Sequence, residues 1–74
     1  MIFDYSMLLG KIVSKYGTQY NFAIALGTSE RTLSLKLNNK IPWTQKEIEH
    51  CISLLDISRR DIPKYFFDLK VQFS

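Results

Sequence analysis

Between residues 18 and 40 the sequence carries polar, amide and cationic side chains whose chemistry suits contact with duplex DNA. Arg31 has the planar guanidinium that pairs with guanine, a contact worth about 1–3 kcal/mol of discrimination between bases. The alternatives for Arg31 are a phosphate contact or a solvated side chain. Lysine and asparagine side chains, and the free N–H groups at a helix start, contact backbone phosphates. The predicted DNA-binding set is Thr18, Gln19, Ser29, Glu30, Arg31, Ser34, Leu35, Lys36, Asn38, Asn39 and Lys40.

The expected roles differ along this set, and several have a structural alternative. Thr18 and Gln19 begin a predicted helix, where they would clamp a phosphate, although Thr18 also suits a simple helix cap. Glu30 would accept from cytosine N4 or would only favour the positive end of its helix. Ser34 and Leu35 would touch bases or a thymine methyl group. Residues at the C-terminal end of the second helix are predicted to contact the DNA backbone, although its lysines would alternatively lie on a solvent-exposed face. These residues are Lys36, Asn38, Asn39 and Lys40.

Two short helices joined by a tight turn are expected to position these side chains. Small, turning and aliphatic residues follow at fixed spacing, with Ala23 at a steep helix crossing, Gly27 at the turn and Leu33 in the second helix. Thr18 and Ser29 are predicted caps for helices over 19–26 and about 30–37. This spacing predicts a helix-turn-helix over about residues 18–39, a layout that places its second helix in the major groove.

The rest of the chain predicts further helices around one core. A first helix over about 5–16 carries an apolar stripe at helical spacing. Thr44 and Glu47 form a capping-box pattern before a fourth helix that runs to about Leu55, and a short fifth helix follows Ser58. We therefore predict an all-α, compact bundle of four to five short helices in a single domain, residues 1–74. The predicted stripe of the first helix is Leu8, Leu9, Ile12, Val13 and Tyr16.

Charge and composition narrow the possible functions. Residues 5–46 carry six basic residues and one acidic residue, whereas residues 47–74 carry four basic and five acidic ones. Positive potential in the half with the reading helix is what a phosphate-binding face requires. The single cysteine, Cys51, excludes an internal disulfide and fits a reducing cytoplasm. No signal peptide or membrane segment is evident, and His50 has no companion at metal-ligand spacing, so we expect no metal, cofactor or enzyme activity.

The whole chain resembles the lambda-repressor-like helix-turn-helix superfamily, and within it the small phage Cro-like or repressor-like regulators. The resemblance is carried by residues 16–19, by Phe22-Ala23-x-x-Leu26-Gly27, by residues 29–38 and by residues 62–67. It implies operator binding in a phage or prophage gene switch. The superfamily usually has a bulky apolar residue three positions after Leu33, where this chain has Lys36, and Leu37 is expected to take over that packing.

Two functions from different classes follow. The first is a Cro-like transcriptional regulator that binds operator DNA in the host cytoplasm, expected as a homodimer through the tail (Leu69, Val71 and Phe73) or through residues 65–67. The second is an antirepressor-type protein-interaction module that binds a partner phage repressor through the same face. The second interpretation rests on Glu30 beside Arg31, with Leu35 on the same outer face, because mixed charge plus an apolar side chain also suits a protein surface.

Overall fold

The computed structural model describes residues 2–70 and contains five α-helices in that range. A short 3₁₀ turn at Arg59–Asp61 precedes the last helix. The sole β-pairing in the described range is an isolated antiparallel bridge between Phe3 and Leu69. The predicted all-α bundle is confirmed. The helices are α1 (Ser6–Tyr16), α2 (Gln19–Leu26), α3 (Glu30–Leu37), α4 (Gln45–Leu55) and α5 (Ile62–Phe66).

The starts of α2, α3 and α4 are set by cap residues that satisfy backbone N–H groups the helices leave free. Thr18 and Ser29 each accept a hydrogen bond from the backbone N–H three residues on. At α4, Thr44 accepts from the N–H of Glu47, and the Glu47 carboxylate accepts from the N–H of Thr44 at 2.8 Å, which completes the capping box. Gly27 ends α2 at φ 85°, a left-handed conformation that a residue without a side chain adopts without strain.

The core lies where all five helices meet and is made of aliphatic and aromatic side chains. Ala23, on α2, is almost completely buried, as its predicted place at a helix crossing requires, and Leu33 of α3 is fully buried. Trp43 packs edge-on against Phe66 with the ring centroids 5.3 Å apart. The buried apolar residues are Tyr5, Leu8, Ile12, Phe22, Ala23, Leu26, Leu33, Cys51, Ile52, Leu55, Ile57 and Phe66.

The first helix buries only part of its predicted apolar stripe. Leu8 and Ile12 are fully buried, whereas Leu9 is 36% exposed and Val13 is 47% exposed. The prediction that Leu9 and Val13 belong to the core is therefore wrong. These two residues form a second row on α1, displaced by about 100° from the row of Leu8 and Ile12, and the bundle covers only the first row.

Lys36 lies inside the molecule, and its side chain is 6% exposed. Its Nζ donates to Glu47 Oε1 at 2.8 Å and to the carbonyl oxygen of Pro42 at 2.9 Å. The same ammonium group lies 5.8 Å from the centroid of the Trp43 ring, within range of a cation–π attraction. The prediction that Lys36 anchors DNA is therefore wrong, because its charge is engaged by Glu47. Leu37 packs against the core as predicted, so both positions face inward.

The segment before α1 is held by one asparagine side chain. Asn39, with φ 62°, donates from Nδ2 to the carbonyl oxygen of Phe3 and accepts from the N–H of Phe3, each at 2.9 Å. On its other side this segment pairs with residues near the end of α5, since the N–H of Asp4 donates to the carbonyl oxygen of Asp68. The Asn39 side chain thus makes the two hydrogen bonds to Phe3 that a neighbouring β-strand would otherwise make.

We expect Glu47→Ala to lower the free energy of unfolding by about 3 kcal/mol, because the change leaves Lys36 buried without its counterion. It also removes one half of the α4 capping box. The measurement is urea denaturation at neutral pH. Glu49→Ala is the matched control, since it breaks only the exposed ion pair with Arg59 and is expected to cost less than about 1 kcal/mol. Equal losses in the two variants would contradict the structural role of Lys36 and Glu47.

The Cys51 thiol provides a second check on the core. Burial raises the pKa of this thiol to about 12, with the Glu47 carboxylate adding to the rise and the Lys36 ammonium opposing it. Because the thiolate is the reactive species, we expect thiol reagents at pH 8 to modify Cys51 only as fast as the native chain opens. In a Ser53→Cys variant the added, exposed thiol should react at once while Cys51 stays protected. Rapid modification of Cys51 in the native chain would refute its burial.

Candidate protein-interaction groove

An open groove of about 840 Å³ lies between the outer faces of α1 and α3. One wall is formed by Leu9 and Val13, which lie one helical turn apart on α1. The other wall is formed by α3, whose residues three and four apart lie on one face. The groove therefore combines exposed aliphatic side chains with polar ones. Its lining residues are Leu9, Val13, Gln19, Glu30, Arg31, Ser34 and Leu35.

Five members of the predicted set meet in this groove. The burial of Leu33 and Lys36 fixes the rotation of α3, so the residues between and before them point outward. Arg31 is exposed, and Leu35, one turn further on, is half-buried. At the far side, Gln19 contributes from the first turn of α2. The five are Gln19, Glu30, Arg31, Ser34 and Leu35.

The other members of the predicted set have separate places in the fold. Thr18 and Ser29 are helix caps, the second of these also donating from Oγ to the hydroxyl of Thr32. Asn38 donates from Nδ2 to the carbonyl oxygen of Ser34 at 2.8 Å, one turn back on α3. Asn39 is occupied by Phe3, as described above. Lys40 lines a different cavity of about 310 Å³, beside aromatic side chains that include Trp43 and Phe66.

Leu9 and Val13 are the groove residues that sequence reasoning missed, because the helical stripe assigned both to the core. The sequence does distinguish Leu9 and Val13, because the apolar stripe of α1 is wider than one row of residues. Apolar residues at both 8 and 12 and at 9 and 13 give α1 two adjacent apolar rows. A bundle of five short helices covers one side of α1, and the second apolar row is left outside.

The charges of the groove nearly balance. Glu30 and Arg31 are neighbours at the start of α3, both are exposed, and neither forms an ion pair with another residue in the range 2–70. The Glu30 carboxylate repels phosphate, and the aliphatic side chains of the groove have no group that binds a phosphate. These side chains are Leu9, Val13 and Leu35. A protein surface can satisfy all of these groups, through apolar contact and one opposite charge for each ion.

The described residues hold no group of three or more histidine, cysteine, aspartate or glutamate side chains placed to bind a metal ion. Within the same range, none of the helices has the length and apolar character needed to cross a membrane. Trp43 packs against the core, and its buried Nε1 has no hydrogen-bond acceptor among residues 2–70.

The proposed self-association surfaces are only partly described. Phe66 is 1% exposed and is therefore unavailable for dimer contacts, whereas Phe67 is 51% exposed and Leu69 is 50% exposed. Val71 and Phe73, the other tail residues considered for a dimer, lie outside the described residues. The homodimer stays a prediction.

Comparison with known proteins identifies the family. The model of a family described as "Protein of unknown function (DUF739)" matches residues 1–69, so the chain belongs to this family. The chain is also similar to a solved protein, the modulator of repression (MOR) of the temperate bacteriophage TP901-1 from Lactococcus lactis. The two share 60% sequence identity over 97% of each chain, with a TM-score of 0.81. A search of curated proteins found no match.

This similarity corrects the main functional interpretation of the sequence. The similar phage protein is named a modulator of repression, which describes an effect on repression and fits an interaction module better than an operator-binding regulator. The prediction of a Cro-like, sequence-specific DNA-binding protein is therefore wrong. The physical reason is on α3, where Lys36 is buried and Glu30 lies beside Arg31, so the exposed face of this helix lacks the net positive charge that binding to phosphates requires.

We expect Val13→Ser to change the free energy of unfolding by less than about 1 kcal/mol, because Val13 lies in the groove wall and packs against little else. Ile12→Ser, one residue away, is the matched control. Ile12 is fully buried, and its change is expected to cost more than about 3 kcal/mol through the cavity and the buried hydroxyl. Urea denaturation of both variants decides the matter, and a comparable loss in Val13→Ser would return this residue to the core.

Proposed function

We propose that this DUF739 protein is a protein-interaction module that modulates repression in a phage or prophage gene switch by binding a partner phage repressor. The face we assign to the repressor is the groove between α1 and α3. The proposal is supported by the 60% identity to a phage modulator of repression, with 97% of each chain covered. The function is binding, with no catalytic step.

The single observation that carries the choice of surface is the pairing of exposed aliphatic and charged side chains in one groove. Leu9, Val13 and Leu35 would form the apolar centre of the interface, where water is excluded. Arg31 is the charged anchor, because a guanidinium in a desolvated place forms strong paired hydrogen bonds to a carboxylate. Exposed leucine and valine within one groove cost solubility unless a partner covers them.

We further infer that the module is a helix-turn-helix of the lambda-repressor-like type in which the exposed face of α3 binds a protein in place of DNA. Three features support this inference: the buried Ala23 on α2, the left-handed Gly27 at the turn and the buried Leu33 on α3. The cytoplasm of the host bacterium is the proposed location, since the repressor acts there and the buried, free Cys51 suits reducing conditions.

The test is the affinity of the purified chain for the repressor encoded by the phage or prophage that carries it, measured by isothermal titration. We expect specific binding, and we expect Arg31→Ala and Leu35→Ala each to weaken it at least tenfold, equivalent to about 1.4 kcal/mol. Lys64→Ala is the control, because Lys64 is exposed on α5 and does not line the groove.

The same preparation separates protein binding from DNA binding in an electrophoretic shift with duplexes from the operator region. The chain alone is expected to leave every duplex unshifted, whereas addition of the chain should change the shift given by the repressor. Absence of any binding to the repressor would refute the proposed function. Loss of affinity in Lys64→Ala, with Arg31→Ala unaffected, would move the interface away from the groove.

A further inference from the structure

We infer that the groove between α1 and α3 receives an amphipathic α-helix of the repressor, with a carboxylate on that helix paired to Arg31. This inference rests on the proposed function and adds to it the kind of structural element that the partner contributes. The partner helix would place an apolar row, at spacing i, i+3 and i+4, against Leu9, Val13 and Leu35.

The shape of the groove fits a helix because both of its walls are helices. Leu9 and Val13 lie four residues apart on α1, and Arg31 and Leu35 lie four residues apart on α3. Rows of residues at this spacing form ridges, and a third helix packs its own ridge into the space between them. One turn of a helix rises about 5.4 Å, so an apolar row on the partner would have the same spacing as the rows on α1 and on α3.

Other modes of peptide recognition do not fit this groove. Addition of a strand requires an exposed sheet edge, but the backbone groups of α1 and α3 are bonded within their own helices. The isolated bridge of the described range, between Phe3 and Leu69, involves no residue of the groove lining. Polyproline segments bind between aromatic rings, and none of the lining residues is aromatic. Affinity must therefore come from side chains, as it does for a helix in a groove.

The charges select the chemistry of the partner's polar positions. Arg31 has no acidic partner among residues 2–70, and its guanidinium presents parallel donors that match a carboxylate. Glu30, its neighbour, disfavours a second acid at the start of α3 and favours a lysine or arginine there. The complementary helix thus carries an apolar row flanked by an acid that pairs with Arg31 and a base that pairs with Glu30.

The decisive experiment uses photochemical cross-linking with the full-length repressor. The photoreactive residue p-benzoylphenylalanine replaces Val13 in one variant and Leu35 in another, and mass spectrometry locates the adducts. We expect adducts from both positions to fall on one helix of the repressor, at residues three or four apart or multiples of that spacing. The same residue placed at Lys64, outside the groove, is the control and should give no adduct.

Charge reversal tests the Arg31 contact without a bulky probe. Arg31→Glu should weaken binding at least tenfold while Lys64→Glu does not, and circular dichroism should show both variants folded. Changing the acid of the identified repressor helix to lysine should restore the affinity of Arg31→Glu at least fivefold.

The outcomes separate this inference from the proposed function. Adducts on a loop or strand, adducts on a second copy of this chain, or full affinity in Arg31→Glu would each overturn the helix assignment. In all of these cases binding of the unmodified chain to the repressor would leave the proposed function standing. Failure of the unmodified chain to bind the repressor would overturn both.

Discussion

The orientation of α3 depends on the ion pair between the buried Lys36 and the partly exposed Glu47. Lys36 Nζ reaches the carboxylate at 2.8 Å and also bonds the carbonyl oxygen of Pro42, so one ammonium group joins α3, the loop after it and the start of α4. Glu47 in turn caps α4 by accepting from Thr44. Burial acts to raise the pKa of Glu47, but the hydrogen bonds from Lys36 and Thr44 outweigh it and hold the pKa below its usual value. A neutral Glu47 would leave the buried ammonium without its counterion.

This constraint decides which residues can face a partner. With Leu33, Lys36 and Leu37 turned toward the interior, the opposite side of α3 presents Arg31 and Leu35. Position 36 carries a cation where an apolar side chain would serve the same packing, and the long aliphatic stem of lysine provides much of that packing. The charge at the tip of Lys36 then needs Glu47, so the capping box of α4 and the side chains of α3 belong to one hydrogen-bond network.

The local structure of the chain was largely predictable because its signals are local. Cap residues, glycine at a left-handed turn and apolar spacing predicted both ends of α2 and the start of α3, and placed the end of α3 at about Leu37, where the structure has it. The errors concern tertiary burial. Leu9 and Val13 have the same residue types as core positions, and only the arrangement of neighbouring helices determines that they lie outside. The inward turn of Lys36 depends on Glu47, eleven positions away on another helix, which spacing along α3 does not reveal.

The prediction of DNA binding failed for a related reason. The net charge counted along a segment does not give the electrostatic potential of the surface that the folded segment exposes. Residues 5–46 contain six cations, yet Lys36 is neutralised inside the fold and Lys15 pairs with Asp56. Lys40 lies at the aromatic cavity, away from the groove. What remains beside Leu35 is Arg31, balanced by Glu30. The exposed face of α3 thus offers one balanced pair of charges and an apolar side chain, which suits contact with protein side chains better than contact with a line of phosphates.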